Sequence, residues 1–229
     1  MKRSLLTKAK ALPMTRNLLL ALVAGMMSLP VWGQYPSAVD LGLPSGVKWA
    51  NANLGAAAPS EYGNYYAWGE TEPKNRYDWT SYKWGDGTPD VLSKYNTDPY
   101  HGPVDGRKVI APEDDVAHVR LGGKWRIPTR EEFLELRAEC IWTWTAVNGI
   151  PGFEIKSRVN GNSIFLPAAG FWQGDHPVGV GLGLYGDYWT SSLGWASPEF
   201  AFNVTFNSTM LDLGSFERTY GFSIRPVCD

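Results

Sequence analysis

The sequence is poor in the residues that build metal and redox sites. It has only two cysteines and three histidines in 229 residues. His101, His118 and His176 stand in separate segments with no pair at metal-ligand spacing, which argues against a zinc site. Cys140 and Cys228 lie too far apart in sequence to form a paired thiolate motif for copper. Phosphate-loop, dinucleotide and Gly-x-Ser-x-Gly motifs are also absent, so no catalytic motif is recognisable.

Long apolar runs are also missing, apart from one near the N-terminus. Residues 1–33 have the pattern of a secretory signal peptide, with five basic residues, no acidic one, an apolar core at residues 18–29 and small residues before Gln34. A membrane anchor is the alternative, but the apolar run is shorter than the ~20 residues that span a bilayer. We therefore predict cleavage, no membrane insertion afterwards, and a location in the periplasm, at the cell surface or outside the cell.

The mature chain is short of positive charge. Without the leader, residues 34–229 hold 16 basic and 23 acidic residues, a net charge of −7. This balance argues against nucleic acid or an anionic membrane as a partner. The length of the mature chain fits one domain with a substantial core.

Aromatic residues and glycine are abundant. The chain has 11 Trp, 11 Tyr and 25 Gly, a composition typical of a loop-rich β protein. Its one strongly periodic helix follows Pro128, where Thr129 and Glu132 fit a capping box and Phe133, Leu136 and Cys140 form an apolar stripe. We expect this helix to cover a curled antiparallel sheet.

The rest of the mature chain has mostly the period-two pattern of strands. A Pro44-Ser45-Gly46 turn predicts a hairpin within residues 39–54, and Asn160-Gly161 predicts another. In the last strand the alternation places Phe222 and Ile224 inward and Ser223 and Arg225 outward. Further strands are expected at residues 64–70, 141–146, 153–158, 163–167, 188–192 and 200–206. A short helix is expected at residues 111–121. Long loops are expected at residues 71–111 and 170–186. The three acids of that short helix, at residues 113–115, are expected to compensate its dipole.

Six blocks in this order resemble a secreted bacterial family, the Fibrobacter succinogenes major paralogous domain. They are VDLGLPSGVKWA, YYAWGET, GGKWRIPTREEFLEL, NGNSIFLPAAG, DYWTSS and GFSIRPV, and they span nearly the whole mature chain. The family is similar to the group with the C-type lectin-like fold, which includes the formylglycine-generating enzyme. The resemblance implies a bacterial source and an α+β, C-type lectin-like domain at residues 34–229, with curled antiparallel sheets, one or two helices and long loops.

The residues present do not match the catalytic and calcium-binding motifs of those relatives. The enzyme's close cysteine pair is missing. The calcium motifs of sugar-binding lectins are also altered, since Lys74 stands where an amide ligand is expected and Trp189-Thr190-Ser191 has no carboxylate. Asp86 and Asp90 offer oxygens for Ca²⁺, but their spacing lacks a full EF-hand loop and a solvated turn is favoured. We expect no cofactor. For Cys140 and Cys228, a disulfide and two buried thiols remain open alternatives.

The remaining functional signal is a set of large aromatic residues in the loops. Exposed rings stack on sugars and anchor protein interfaces, although packing of the loops against the domain is an equal alternative. The sequence predicts a non-enzymatic module that binds a glycan or a protein. A degenerate or carbohydrate-active enzyme and a structural module of a surface assembly are the alternatives. Trp172, Tyr185 and Trp195 are predicted to converge on one patch, with Trp79 and Trp84 as further candidates.

Overall fold

The computed structural model describes residues 36–229, so the predicted signal peptide at residues 1–33 lies outside the described part of the chain. The described residues belong to one compact unit. Its helices are α1 (Val116–Leu121) and α2 (Arg130–Glu139). Its strands are β1 (Ala38–Val39), β2 (Lys48–Ala50), β3 (Tyr65–Tyr66), β4 (Trp125–Arg126), β5 (Cys140–Val147), β6 (Ile150–Ser157), β7 (Ser163–Pro167), β8 (Phe171–Gln173), β9 (His176–Val178), β10 (Gly186–Leu193), β11 (Phe200–Phe206), β12 (Leu211–Glu217), β13 (Phe222–Ser223) and β14 (Val227–Cys228). Neither helix is long and apolar enough to cross a membrane.

Helix α2 begins as the sequence predicts. The Thr129 hydroxyl accepts a hydrogen bond from the Glu132 amide at 3.2 Å, and the Glu132 carboxylate accepts one from the Thr129 amide at 2.7 Å. This capping box satisfies amides that the first turn leaves unpaired. The predicted apolar stripe is buried, and Phe133 meets the edge of Trp49 with ring centroids 4.8 Å apart. The helix contacts β5, β10 and β11.

The strands form four sheets. The largest has the order β12-β11-β10-β13-β3, in which only the β10–β13 pair is parallel. The others have the orders β1-β2-β14-β4, β5-β6-β7 and β8-β9. The predicted hairpins are confirmed, because β1 pairs with β2 and β6 pairs with β7, both antiparallel. The domain is therefore α+β and mainly β.

The central strands of the five-stranded sheet are buried on both faces. Tyr188, Val204 and Phe206 face one core cluster with α2, while Trp189 and Ala201 face a second cluster around β3 and β13. Successive strand residues point to opposite faces. When both faces are buried, the alternation of apolar and polar residues no longer shows which side chains point inward.

The predicted last strand at residues 220–227 is divided between β13 and β14 of two different sheets, and the prediction that Ser223 and Arg225 point outward is wrong. Both side chains are buried. Arg225 donates hydrogen bonds to Asn53 Oδ1 at 2.7 and 3.0 Å, to the Ala50 carbonyl at 3.0 Å and to the Phe165 carbonyl at 2.7 Å. Burial without a carboxylate partner lowers the pKa of Arg225 to about 10. Arg225 thus joins three of the sequence blocks inside the core.

The long segment at residues 71–111 is held by polar side chains that bond to its backbone. Arg218 is fully buried and donates to the carbonyls of Lys94 and Tyr95. The Asp105 carboxylate accepts from the amides of Tyr95 and Asn96, both at 2.9 Å. These bonds supply partners that regular secondary structure would otherwise provide.

The acids before α1 have structural roles beyond the expected dipole compensation. Asp115 caps α1 by accepting from the amides of Ala117 and His118 and also accepts at 2.8 Å from the amide of Ile127, the residue that follows β4. Asp114 is buried and accepts from Lys94 and from the Tyr95 hydroxyl. The predicted helix at residues 111–121 is therefore a 3-10 turn followed by α1.

Three further features differ from the sequence expectations or resolve them. The predicted loop at residues 170–186 contains the hairpin β8-β9, and β12 was not predicted because its residues do not alternate clearly.

Both cysteines are free thiols. Cys140 begins β5 and Cys228 lies in β14, which belong to different sheets. The structure thus has two thiols and not the disulfide, but only Cys140 is buried and Cys228 is partly exposed.

Candidate functional site

The three loop aromatics predicted to form one patch do not converge. Tyr185 directly precedes β10, and Trp195 comes two residues after its end. A strand advances ~3.3 Å per residue, so the 8 residues of β10 span ~25 Å and these two residues lie at its opposite ends. Trp172 lies at the Tyr185 end, because Gly170 pairs with Gly186. The predicted patch is therefore not formed.

Trp79, Trp84 and Trp172 are instead brought together as packing residues. They surround the buried side chains of Tyr77 and Tyr82 and are themselves partly buried. The Trp172 ring lies 6.2 Å from that of Tyr77, and the Trp79 ring meets Tyr82 edge-on at 5.5 Å. This cluster folds the loop at residues 71–111 against the domain, which favours the packing alternative for these three rings.

The Trp84 ring is occupied by neighbouring groups of the chain. Its indole N–H donates to the Gly69 carbonyl at 2.9 Å. The ammonium groups of Lys83 and Lys94 lie over the ring, 4.1 and 5.0 Å from its centroid. A cation over an aromatic face is attracted by the ring quadrupole, so a ligand would have to displace these contacts.

Tyr185 is partly exposed but belongs to the glycine-rich turn before β10. Its side chain is 39% exposed. Its carbonyl accepts from the Gly170 amide at 2.7 Å. A methyl group added at Gly179 would come within 3.2 Å of the Tyr185 ring, and Gly179 has a φ of +68°. The turn therefore packs this ring against a backbone position that only glycine fills without strain.

Trp195 is the only exposed tryptophan in residues 36–229, with 77% of its surface accessible. Phe202 meets it edge-on with ring centroids 4.8 Å apart. The Arg130 guanidinium carbon lies 4.6 Å from the centroid of the Trp195 ring and 4.9 Å from that of Phe202. Arg130 and Phe202 thus hold a large ring in place while leaving most of it open to solvent.

The Trp195 ring lines a cavity of ≈ 540 Å³, which we call the Trp195 cleft. This volume is within the range of small-molecule sites. Two charged side chains, Lys108 and Glu131, contribute to a wall that also contains apolar groups. The lining residues are Thr97, Lys108, Val109, Glu131, Ser192, Leu193, Gly194, Trp195 and Phe202.

Backbone pairing fixes the floor of the cleft. The Leu193 amide donates to the Lys108 carbonyl at 2.8 Å, so the chain before α1 runs beside the end of β10. On the other side, the Arg130 amide donates to the Ser192 hydroxyl at 3.2 Å. The start of α2, the end of β10 and the residues around Lys108 therefore meet at this point and position the side chains of the cleft.

A polar cluster anchors the loop that carries Trp195. The Nε2 atom of His101 lies 3.1 Å from Glu199 and 3.4 Å from the Ser197 hydroxyl, which also donates to Glu199. The Nδ1 atom of His101 faces the Pro89 carbonyl at 2.8 Å. In a hydrolytic triad the two histidine nitrogens face the acid and the nucleophile separately. Here Nε2 alone faces both Glu199 and Ser197. The arrangement therefore favours an anchor for the loop over a catalytic nucleophile with its base.

The described residues contain no group of three or more His, Cys, Asp or Glu side chains placed to hold a metal ion. Asp86 and Asp90, the pair weighed for Ca²⁺ from the sequence, are both exposed.

The sequence prediction identified Trp195 but missed the residues around it. Arg130 follows the N-cap of α2 and Glu131 lies next to it, where acids are expected for dipole reasons alone. Lys108 lies in the long segment without periodicity. The predicted α2 N-terminus, with its exposed polar residues, was the one signal in the sequence for these neighbours. Only the fold shows that Trp195 lies beside it.

Comparison of the chain with protein-family models, curated proteins and solved structures finds no match. The structure itself defines a mainly β, α+β domain whose exposed tryptophan lines a cleft with charged groups. The resemblance to the Fibrobacter succinogenes major paralogous domain and to the C-type lectin-like fold stays a prediction.

Proposed function

We propose that the chain is an exported bacterial binding module with a C-type lectin-like fold and that it recognises a glycan at the Trp195 cleft. The observation that carries this proposal is the exposure of Trp195, 77% of whose surface is open although Arg130 and Phe202 hold the ring. A large ring held open to solvent in this way is a ready surface for a ligand.

The chemistry of the cleft suits a sugar. A pyranose ring has an apolar face of C–H groups, which stacks on an indole, and hydroxyls at its edge, which need hydrogen-bond partners. Glu131 supplies acceptors and Lys108 supplies donors along the cleft wall. The apolar contact with Trp195 and these few polar groups together match the usual composition of ligand sites.

Binding is favoured over glycoside hydrolysis by the carboxylates of the cleft. The hydrolytic mechanism in most families uses two carboxyl groups on either side of the glycosidic bond. Glu131 is the one carboxylate that lines the Trp195 cleft. A protein ligand is the second candidate, since exposed tryptophan and arginine in contact are the residue types that anchor protein interfaces.

A glycan array probed with residues 34–229 tests the proposal. We expect capture of one structurally related set of glycans, followed by saturable quenching or enhancement of tryptophan fluorescence when the same sugar is titrated in solution. An array without any specific signal, together with capture of a defined protein that requires Trp195, would replace the glycan by a protein ligand.

A further inference from the structure

A row of polar side chains lies on the five-stranded sheet, away from the Trp195 cleft. Asp187 of β10 is paired with Thr205 of β11, and Thr205 is paired with Asp212 of β12. Side chains in one row of adjacent strands point to the same face of a sheet. Asn203 lies two residues from Thr205 on that face, opposite Gly214 of β12.

Hydrogen bonds within the row leave two oxygen atoms unpaired. The Thr205 hydroxyl donates to Asp187 Oδ1 at 2.6 Å, and the Asn203 amide nitrogen donates to Thr205 at 2.7 Å. Within the described chain, Asp187 Oδ2 and Asn203 Oδ1 have no hydrogen-bond partner. Their side chains are only 2% and 0% exposed. Buried polar atoms without a protein partner are uncommon in folded proteins, and a bound water or ion is what usually completes them.

Space for such a group lies above Gly214. A methyl group built on Gly214 would lie 3.7 Å from Asp212 Oδ2 and 3.8 Å from Asn203 Oδ1. Asp212 Oδ2 and Asn203 Oδ1 therefore border the same position, which glycine leaves unfilled, and Asp187 lies in the same row on the other side of Thr205. Asp212 is exposed and Thr205 is partly buried, so the row is open to solvent on the side of β12, the edge strand.

The charge of the row is not balanced by the described side chains. Within residues 36–229, neither Asp187 nor Asp212 takes part in an ion pair. Burial raises the pKa of Asp187 to about 7, although its hydrogen bond with Thr205 acts in the opposite direction. A bound cation would supply the missing positive charge and a partner for each unpaired oxygen.

We propose that Asp187, Asn203 and Asp212 form a Ca²⁺ site on the face shared by β10, β11 and β12. Two carboxylates and an amide provide only hard oxygen ligands, which suit Ca²⁺ and not zinc or copper, and water completes its coordination of six to eight oxygens. This site is separate from the exposed pair Asp86 and Asp90. It lies near the beginning of β10, whereas the Trp195 cleft lies at its end, so either proposal can fail alone.

Thermal unfolding of the mature chain, first treated with a chelator and then titrated with CaCl₂, tests the site. At ~100-fold excess over Kd, we expect Ca²⁺ to raise Tm by about 5–10 °C. The Asp187→Asn variant should lose this shift while remaining folded, because the amide keeps the size of the side chain and removes a buried charge. Asp212→Asn should reduce the shift. The control Asp175→Asn, in the exposed turn between β8 and β9, should keep all of it.

Two results would overturn the proposal. One is a wild-type Tm that does not change up to about 10 mM Ca²⁺, a concentration above the Kd range of weak extracellular calcium modules. The other is an equal shift in wild type and Asp187→Asn, which would place the bound ion elsewhere. Isothermal titration of the wild type should give one binding site, and more than one equivalent site would also contradict the assignment.

Discussion

The guanidinium carbon of Arg130 lies 4.6 Å from the centroid of the Trp195 ring. Arg130 is the first residue of α2, and Trp195 follows β10, so the contact joins the helix to the loop of the neighbouring strand. Stacking with arginine and the edge contact with Phe202 limit the motion of the indole. A ligand that stacks on the ring therefore loses less conformational entropy than it would on a free side chain.

The first prediction concerns the buried Arg225. Replacing Arg225 with Ala should lower the free energy of unfolding by ~3–5 kcal/mol, because Asn53 Oδ1 and the carbonyls of Ala50 and Phe165 would lose their donor in the core. Urea unfolding measures the change. As a control, Arg76→Ala removes an arginine that is exposed and should cost less than ~0.5 kcal/mol. Equal effects of the two substitutions would refute the role assigned to Arg225.

The capping box of α2 gives a second prediction. Thr129→Ala should lower the free energy of unfolding by ~1 kcal/mol, because the Glu132 amide loses its acceptor. Thr129→Ser keeps the hydroxyl and should have a smaller effect. Chemical denaturation of both variants makes the comparison. A serine variant as unstable as the alanine variant would show that the threonine methyl, and not the cap, is responsible.

A third prediction concerns acid stability. Burial acts to raise the pKa of Asp114, but hydrogen bonds from Lys94, Tyr95 and Lys83 outweigh it, and the pKa lies below its usual value. Because the folded pKa is lowered, the stabilisation is present above the unfolded value near 3.8 and is lost as the pH falls through the folded value.

The test compares the wild type with Asp114→Asn across this acid range. We expect the variant to be less stable at pH 7 and the difference to shrink as the pH falls below about 4, where Asp114 is protonated in the unfolded chain before it is protonated in the folded one. Free energies of unfolding from urea titrations at each pH give the difference. A difference that is the same at pH 3 and pH 7 would contradict the charged role of Asp114.

The cysteines give a fourth prediction. Burial raises the pKa of both thiols, so neither is activated in the folded protein. Denatured without reductant, the chain comprising residues 34–229 should show two titratable thiols, and reductant should leave its Tm unchanged. An absence of titratable thiols together with a lower Tm in reductant would instead establish a disulfide between Cys140 and Cys228.

Local sequence rules predicted the elements whose signals are local. The capping box of Thr129 and Glu132 and the Asn160-Gly161 turn depend on residues a few positions apart, and both are confirmed. The inward position of Arg225 was not predictable in this way. It depends on Asn53 and Phe165, which are distant in sequence and whose oxygen atoms accept hydrogen bonds from the guanidinium group.

The candidate site was predicted only in part for the same reason. Trp195 stood out as a large ring in a short polar loop. Its neighbours Arg130 and Lys108 come from segments 65 and 87 residues earlier in the numbering and become neighbours because the end of β10 bonds both to the start of α2 and to the chain before α1. Trp172 and Tyr185 lie close to Trp195 in sequence, but the length of β10 separates them from it.

The most direct test of the account is the affinity of Trp195→Ala for a glycan that the wild type binds, measured by isothermal titration. Loss of a central aromatic contact should weaken binding at least ~10-fold, while the free energy of unfolding changes by less than ~1 kcal/mol because the ring is mostly exposed. Tyr100→Ala, which removes a ring that is 90% exposed outside the Trp195 cleft, should bind like the wild type. Unchanged affinity in the folded Trp195→Ala variant would contradict the assignment of the cleft as the glycan site.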